Sequence, residues 1–107
     1  MLRGRPFAYL LSLVGRSQIT AERYYHNFIL ENTLFQDELE YQRSELAEEF
    51  NSISSLFARN SAGNQMELWT IEAIENFLEK VHLFIQKIQE YLIEQQELLN
   101  IQIEEMF

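Results

Sequence analysis

Apolar residues recur in a seven-residue register through the C-terminal third of the chain. Counting from Ile71, the a positions are Ile71, Leu78, Ile85, Leu92, Leu99 and Met106, and the d positions are Ile74, Val81, Ile88, Gln95 and Gln102. The g positions are Phe77, Phe84, Tyr91 and Leu98, where a two-stranded coiled coil normally carries charge. A face that wide is too broad for one partner helix. It predicts a helix packed in a bundle of three or four.

The pattern divides the body into two long helices. Asn60-Ser61-Ala62-Gly63-Asn64 is the one cluster of helix-breaking residues in it. Gly63 suits a left-handed terminating position, and Asn64 followed by Glu67 has capping-box spacing. A first helix is expected from about residue 17 or 20 to 60, and a second from about 64 to 106. Each would be about 40 residues, or roughly 60 Å at 1.5 Å per residue. Nearly equal lengths around a short loop predict an antiparallel hairpin. Position i would then lie opposite about 125 minus i, which puts Asn32 within reach of Gln95.

The first helix matches less well. Its seam reads Tyr25, Phe28, Asn32, Phe35, Leu39, Gln42, Leu46, Glu49, Ile53 and Leu56, with apolar residues gathered at its ends and a mostly solvated middle over 36–45. A bent or broken first helix is the rival to a continuous one. Two helices alone would leave the a/d/g face partly in water, at roughly 1.5–3 kcal/mol for each unburied aromatic. The fold class expected is therefore all-α, a long coiled-coil-like helical hairpin that completes a bundle by oligomerisation or by docking on a partner. The interface is expected at Phe77, Phe84, Ile85, Ile88, Tyr91, Leu92 and Leu98. A further alternative has residues 7–14 fold back as a third short helix and close the bundle within the chain.

Composition narrows the function classes. The 107 residues include one proline, three glycines and no cysteine, which excludes disulfides, thiolate metal sites and cysteine nucleophiles. Few turn residues disfavour sheet-based folds. Residues 1–23 set Arg3, Arg5, Arg16 and Arg23 against Glu22, a net of +3, while the remaining residues hold four basic and sixteen acidic side chains, a net of −12. Phosphate backbones would repel such a body, so no nucleic-acid partner is expected. No apolar run approaches the ~18 residues of a membrane span. A soluble body, in the cytoplasm, is the expectation.

Residues 1–16, MLRGRPFAYLLSLVGR, form a basic, apolar leader distinct from a hairpin domain over 17–107. Its outline is that of a minimal secretory signal or organelle presequence, but no small-x-small cleavage site follows it. Retained, it is expected to cap the bundle, and membrane contact is possible only through these residues. Gly15 to Thr20 loosely follows a helix-turn-helix turn, but the acidic helix after it argues against DNA reading.

Catalytic constellations are absent from the pattern. Glu79 and His82 have the Glu-x-x-His spacing of di-iron bundles, and Glu22 and His26 are four apart. Glu79 and His82 sit at b and e positions, toward the flank of the helix, and His26 lies about 25 Å along the axis from His82. A solvated Glu–His pair is the expected reading, and a metal-binding four-helix bundle, with Glu45 joining in a symmetric dimer, is the third choice. Ser52, Ser54, Ser55 and Ser61 have no histidine nearby in sequence, and no glycine-rich phosphate loop exists. Trp69 is expected to plug the hairpin tip. No enzyme, cofactor or metal role is expected. The function expected is a non-catalytic assembly, adaptor or scaffold module whose partner is itself, as a homodimer or higher oligomer, or another helical protein. The alternative is a small acidic chaperone or antagonist, like those of secretion systems, masking an apolar or basic partner segment.

Overall fold

The computed structural model describes residues 4–31, 35–60 and 68–106. Three helices account for almost all of them: α1 (Phe7–Glu31), α2 (Gln36–Asn60) and α3 (Leu68–Met106). No strand occurs among the described residues. The helices form an elongated bundle of 66 × 24 × 17 Å in which each touches the other two.

Where one helix was expected over about 20–60, two lie side by side. The sequence between them includes Asn32 and Thr33, residue types that favour caps over helix interiors because short polar side chains compete for backbone hydrogen bonds. The Phe35 carbonyl accepts from the Leu39 amide at 3.1 Å to begin α2. Asp37 and Glu38 then occupy its first turn, where the helix dipole favours negative charge. At the other end, α1 begins behind Pro6, whose carbonyl accepts from the Leu10 amide at 3.2 Å.

The leader is not a separate arm. α1 runs unbroken through Gly15-Arg16-Ser17, and Leu10 and Val14 are buried in the common core. Burying those two side chains is worth roughly 1.5–3 kcal/mol each, more than the ~1 kcal/mol cost of a helical glycine. A Cβ built on Gly15 meets nothing within 4 Å, and its φ is not positive. Gly15→Ala is therefore expected to raise stability by about 0.5–1 kcal/mol in urea unfolding. A loss of stability there would mean that α1 breaks at this position.

Ion pairs fix the directions. Glu49 and Glu38 of α2 meet Lys80 and Lys87 of α3, both at 2.9 Å, so numbers rise along one helix as they fall along the other. Tyr25 and Glu22 of α1 reach Glu40 and Arg43 of α2 in the same opposed sense. Tyr25 and Phe28 of α1 face Phe84 and Tyr91 of α3 at ring separations of 6.4 and 6.3 Å, so those two helices run in the same direction.

The core line of α3 is Ile74, Phe77, Val81, Phe84 and Ile88, all 6% exposed or less. It consists of d and g positions, with the a residues Leu78 and Ile85 half-buried at its edge. The lane that looked surplus to a two-helix seam is the centre of the face, because α3 sits between two partners. α1 contributes Leu10, Val14, Ala21, Tyr25 and Phe28, and α2 contributes Leu39, Leu46, Ile53 and Phe57. The expectations for Gly63, the Asn64–Glu67 cap, the Asn32–Gln95 contact and the Trp69 side chain lie outside the described residues.

Candidate interaction surface

α3 outgrows its partners. It has 39 residues against 25 in each of α1 and α2, about 58 Å against about 37 Å at 1.5 Å per residue. The end of the bundle is marked by Tyr91. Its ring stacks on Phe35 with centroids 3.9 Å apart and 3° between planes, and lies 6.3 Å from Phe28. Its hydroxyl donates to Glu38, which also pairs with Lys87. Hydrogen bonds from Tyr91 and then Lys87 hold the Glu38 carboxyl below its ordinary range, while burial, reinforced by Glu38, pushes the Tyr91 phenol up. One ring thus ties both shorter helices to α3 at the level where they stop.

Beyond this collar no other described helix accompanies α3. Leu92, Ile93, Leu98, Leu99, Ile101, Ile103 and Met106 are all between 45% and 79% exposed. Leu92, Leu99, Ile103 and Met106 recur at helical spacing and form one stripe, bordered by Gln95, Gln96 and Gln102. At its base a groove of about 450 Å³ opens between α1 and α3, with Tyr24, Phe28, Ile88 and Leu92 as its apolar lining and Arg23, Asn27 and Glu31 as its polar lining. The stripe therefore runs from the groove outward along the overhang.

The seven residues expected at an interface separate into two groups. Phe77, Phe84 and Ile88 are buried in the chain's own core, and Ile85 and Tyr91 are packed against it. For these the expectation is revised: α1 supplies the covering helix that a hairpin lacks. Leu92 and Leu98 are 45% and 50% exposed. Leu99, Ile103 and Met106, exposed on the same stripe, and the groove residues Arg23 and Tyr24 are not among the seven. The signal that could have found them is the length mismatch, legible once the first helix is divided between Glu31 and Gln36.

The polar constellations are accounted for by packing. Buried Tyr25 donates its hydroxyl to Glu40, and Arg43 bridges Glu40 and Glu22. The Arg43 guanidinium, and secondarily Tyr25, hold the Glu40 carboxyl down at about 2. Glu22 also meets His26 at 3.2 Å and accepts from Gln18 at 3.2 Å, so the Glu22–His26 pair belongs to a clasp joining α1 to α2. Glu79 and His82 are exposed. Glu45 lines a second groove, of about 320 Å³ between α2 and α3, where Lys80 pairs with Glu49 at 2.9 Å. Among the described residues no three metal-ligating side chains gather, and no helix is long and apolar enough to cross a membrane. In the former leader, Tyr9 and Leu11 are exposed, with the Arg5 guanidinium 5.1 Å from the centre of the Tyr9 ring. Compared with known proteins, the chain matches no family model, no curated sequence and no solved structure.

Proposed function

We propose that this chain is a non-catalytic helical interaction module. Its body is the bundle of α1, α2 and the first part of α3, and the α3 overhang is the element that docks. One observation carries this reading: an apolar stripe continues past Tyr91 onto a length of helix that none of the other described helices covers. An isolated helix of about 15 residues is marginal in water. The last turn of α3 also has no basic side chain, and it carries Glu104 and Glu105, whose charge the dipole disfavours at a C-terminus. Such a segment depends on a partner for its stability, and exposed apolar patches on soluble domains mark contact sites.

Amide hydrogen exchange on the chain, diluted until light scattering reports a single-chain mass, tests this. Residues 71–91 should be protected by the bundle, while 93–106 should exchange close to the rate of an unstructured peptide. Strong protection of 93–106 in the single chain would mean that the overhang needs no partner, and the reading would fall.

A further inference from the structure

α1 and α3 each turn a second stripe outward, away from the common core. On α1 it is Arg16, Ile19, Arg23 and Leu30, spaced three, four and seven residues apart, which sets them within about 60° of one another around the helix. On α3 it is Leu83, Glu90, Ile93 and Glu97, spaced seven, three and four. These fall within about 80°, on the far side of the helix from Leu92 and Leu99. All eight side chains are exposed, the four aliphatic ones by 53% to 81%.

The two stripes carry opposite charge. Among the described residues, Arg16, Arg23, Glu90 and Glu97 meet no opposite charge of their own chain, whereas Arg43, Lys80 and Lys87 are each paired within it. The acids of α1, Glu22 and Glu31, lie about 90° to either side of its stripe, and Glu22 is already engaged by Arg43 and His26. α2 offers no rival, because its outward line, Asp37, Tyr41, Ser44 and Glu48, holds no aliphatic residue.

The spacings match as well as the charges. Laid antiparallel, the α1 stripe of one copy sets Arg16 on Glu97, Arg23 on Glu90 and Leu30 on Leu83 of another copy's α3, with Ile19 beside Ile93. Laid parallel with the same charges matched, Leu30 would fall on Glu104. Only the antiparallel order seats aliphatic on aliphatic throughout.

We propose that copies of this chain join side by side through these stripes, the α1 stripe of one lying antiparallel on the α3 stripe of the next. The inference goes beyond the docking of the overhang and leaves Leu92 and Leu99 unused. Two different surfaces meet, so the contact is heterologous. Each added copy leaves one stripe free, and the association is open-ended. The net charge of −9 opposes it at long range, but at about 0.15 M salt that field falls off within ~8 Å, while the ion pairs act at contact. Two exposed pairs and two aliphatic contacts make a weak junction. It fills at roughly 0.1–1 mM and is open at the micromolar concentrations of circular dichroism.

Small-angle X-ray scattering on the full chain should give a mass that climbs with concentration and passes two chains by about 1 mM. Arg16→Glu with Arg23→Glu, or Glu90→Arg with Glu97→Arg, should each weaken association by at least about tenfold. Neither pair of changes should move the melting temperature, because all four positions are exposed. Mixed in equal amounts, the two double variants should regain the climb, since the reversed charges then match from copy to copy. Leu99→Glu, on the other side of α3, should leave the climb intact. A single-chain mass at every concentration would overturn the proposal. So would a mass that stops at two chains, a climb that Leu99→Glu abolishes, or a mixture that fails to recover it.

Discussion

Phe84→Glu is expected to unfold the whole chain and not merely to dissociate an assembly. Phe84 is 3% exposed, lies 6.4 Å from the Tyr25 ring and belongs to the line that joins α3 to both other helices. A carboxylate at that position would be buried, and the lysines that line the adjoining groove, Lys80 and Lys87, already pair with Glu49 and Glu38. Desolvation of an unpaired charge and loss of the aromatic packing act together, for a destabilisation of at least about 4 kcal/mol. In a small bundle that is most of the available stability. Circular dichroism should show lost helicity over the sequence as a whole, and denaturation should lack a cooperative transition. A variant that stayed folded and simply became monomeric would place Phe84 at a surface between chains.

Tyr91→Ala is expected to loosen one end of the bundle. The ring is half-buried, so its removal should cost less than the ~3–5 kcal/mol of a fully buried aromatic. About 2–3 kcal/mol is reasonable once the stacking on Phe35 is counted. The loss should be local in character. Hydrogen exchange should accelerate around residues 28–31, 35–39 and 88–91, while the Leu10, Val14 and Ile74 region keeps its protection. Tyr91→Phe separates the contributions: it keeps the stack and removes the hydrogen bond to Glu38, so it should cost about 1 kcal/mol or less. Equal losses in the two variants would show that the hydroxyl, not the ring, holds the collar closed.

The helical class and the whole of α3 were legible because a 3.6-residue period sustained over 39 residues has no competing interpretation. α1 and α2 were harder to separate. The α2 stripe is thin, with Leu39, Leu46 and Ile53 seven apart and mostly polar residues between, and it continues the register of Tyr25 and Phe28 without a glycine or proline to interrupt it. Asn32 read naturally as a polar seam residue. Only the packing of α1 against α2 shows that the chain reverses between Glu31 and Gln36.

That one misplaced boundary propagated into the site. With a single first helix, the leader looked like an appendage, α3 looked as long as its partner, and its aromatic lane looked bare. With the boundary moved, Leu10 and Val14 join the core, Phe77 and Phe84 are covered from within, and the bare region shifts to Leu92, Leu99, Ile103 and Met106. The a positions of the register already contained Leu92, Leu99 and Met106. What sequence periodicity could not supply was which stretch of the stripe has neighbours.

The most direct test is the unfolding midpoint of the Leu99→Glu chain, followed by circular dichroism over a hundredfold range of protein concentration. If α1, α2 and α3 of one chain close the core, the midpoint should not move with concentration, because folding then involves one molecule. A midpoint that climbs steadily with concentration would show that Phe77, Phe84 and Ile88 are covered by helices from another copy.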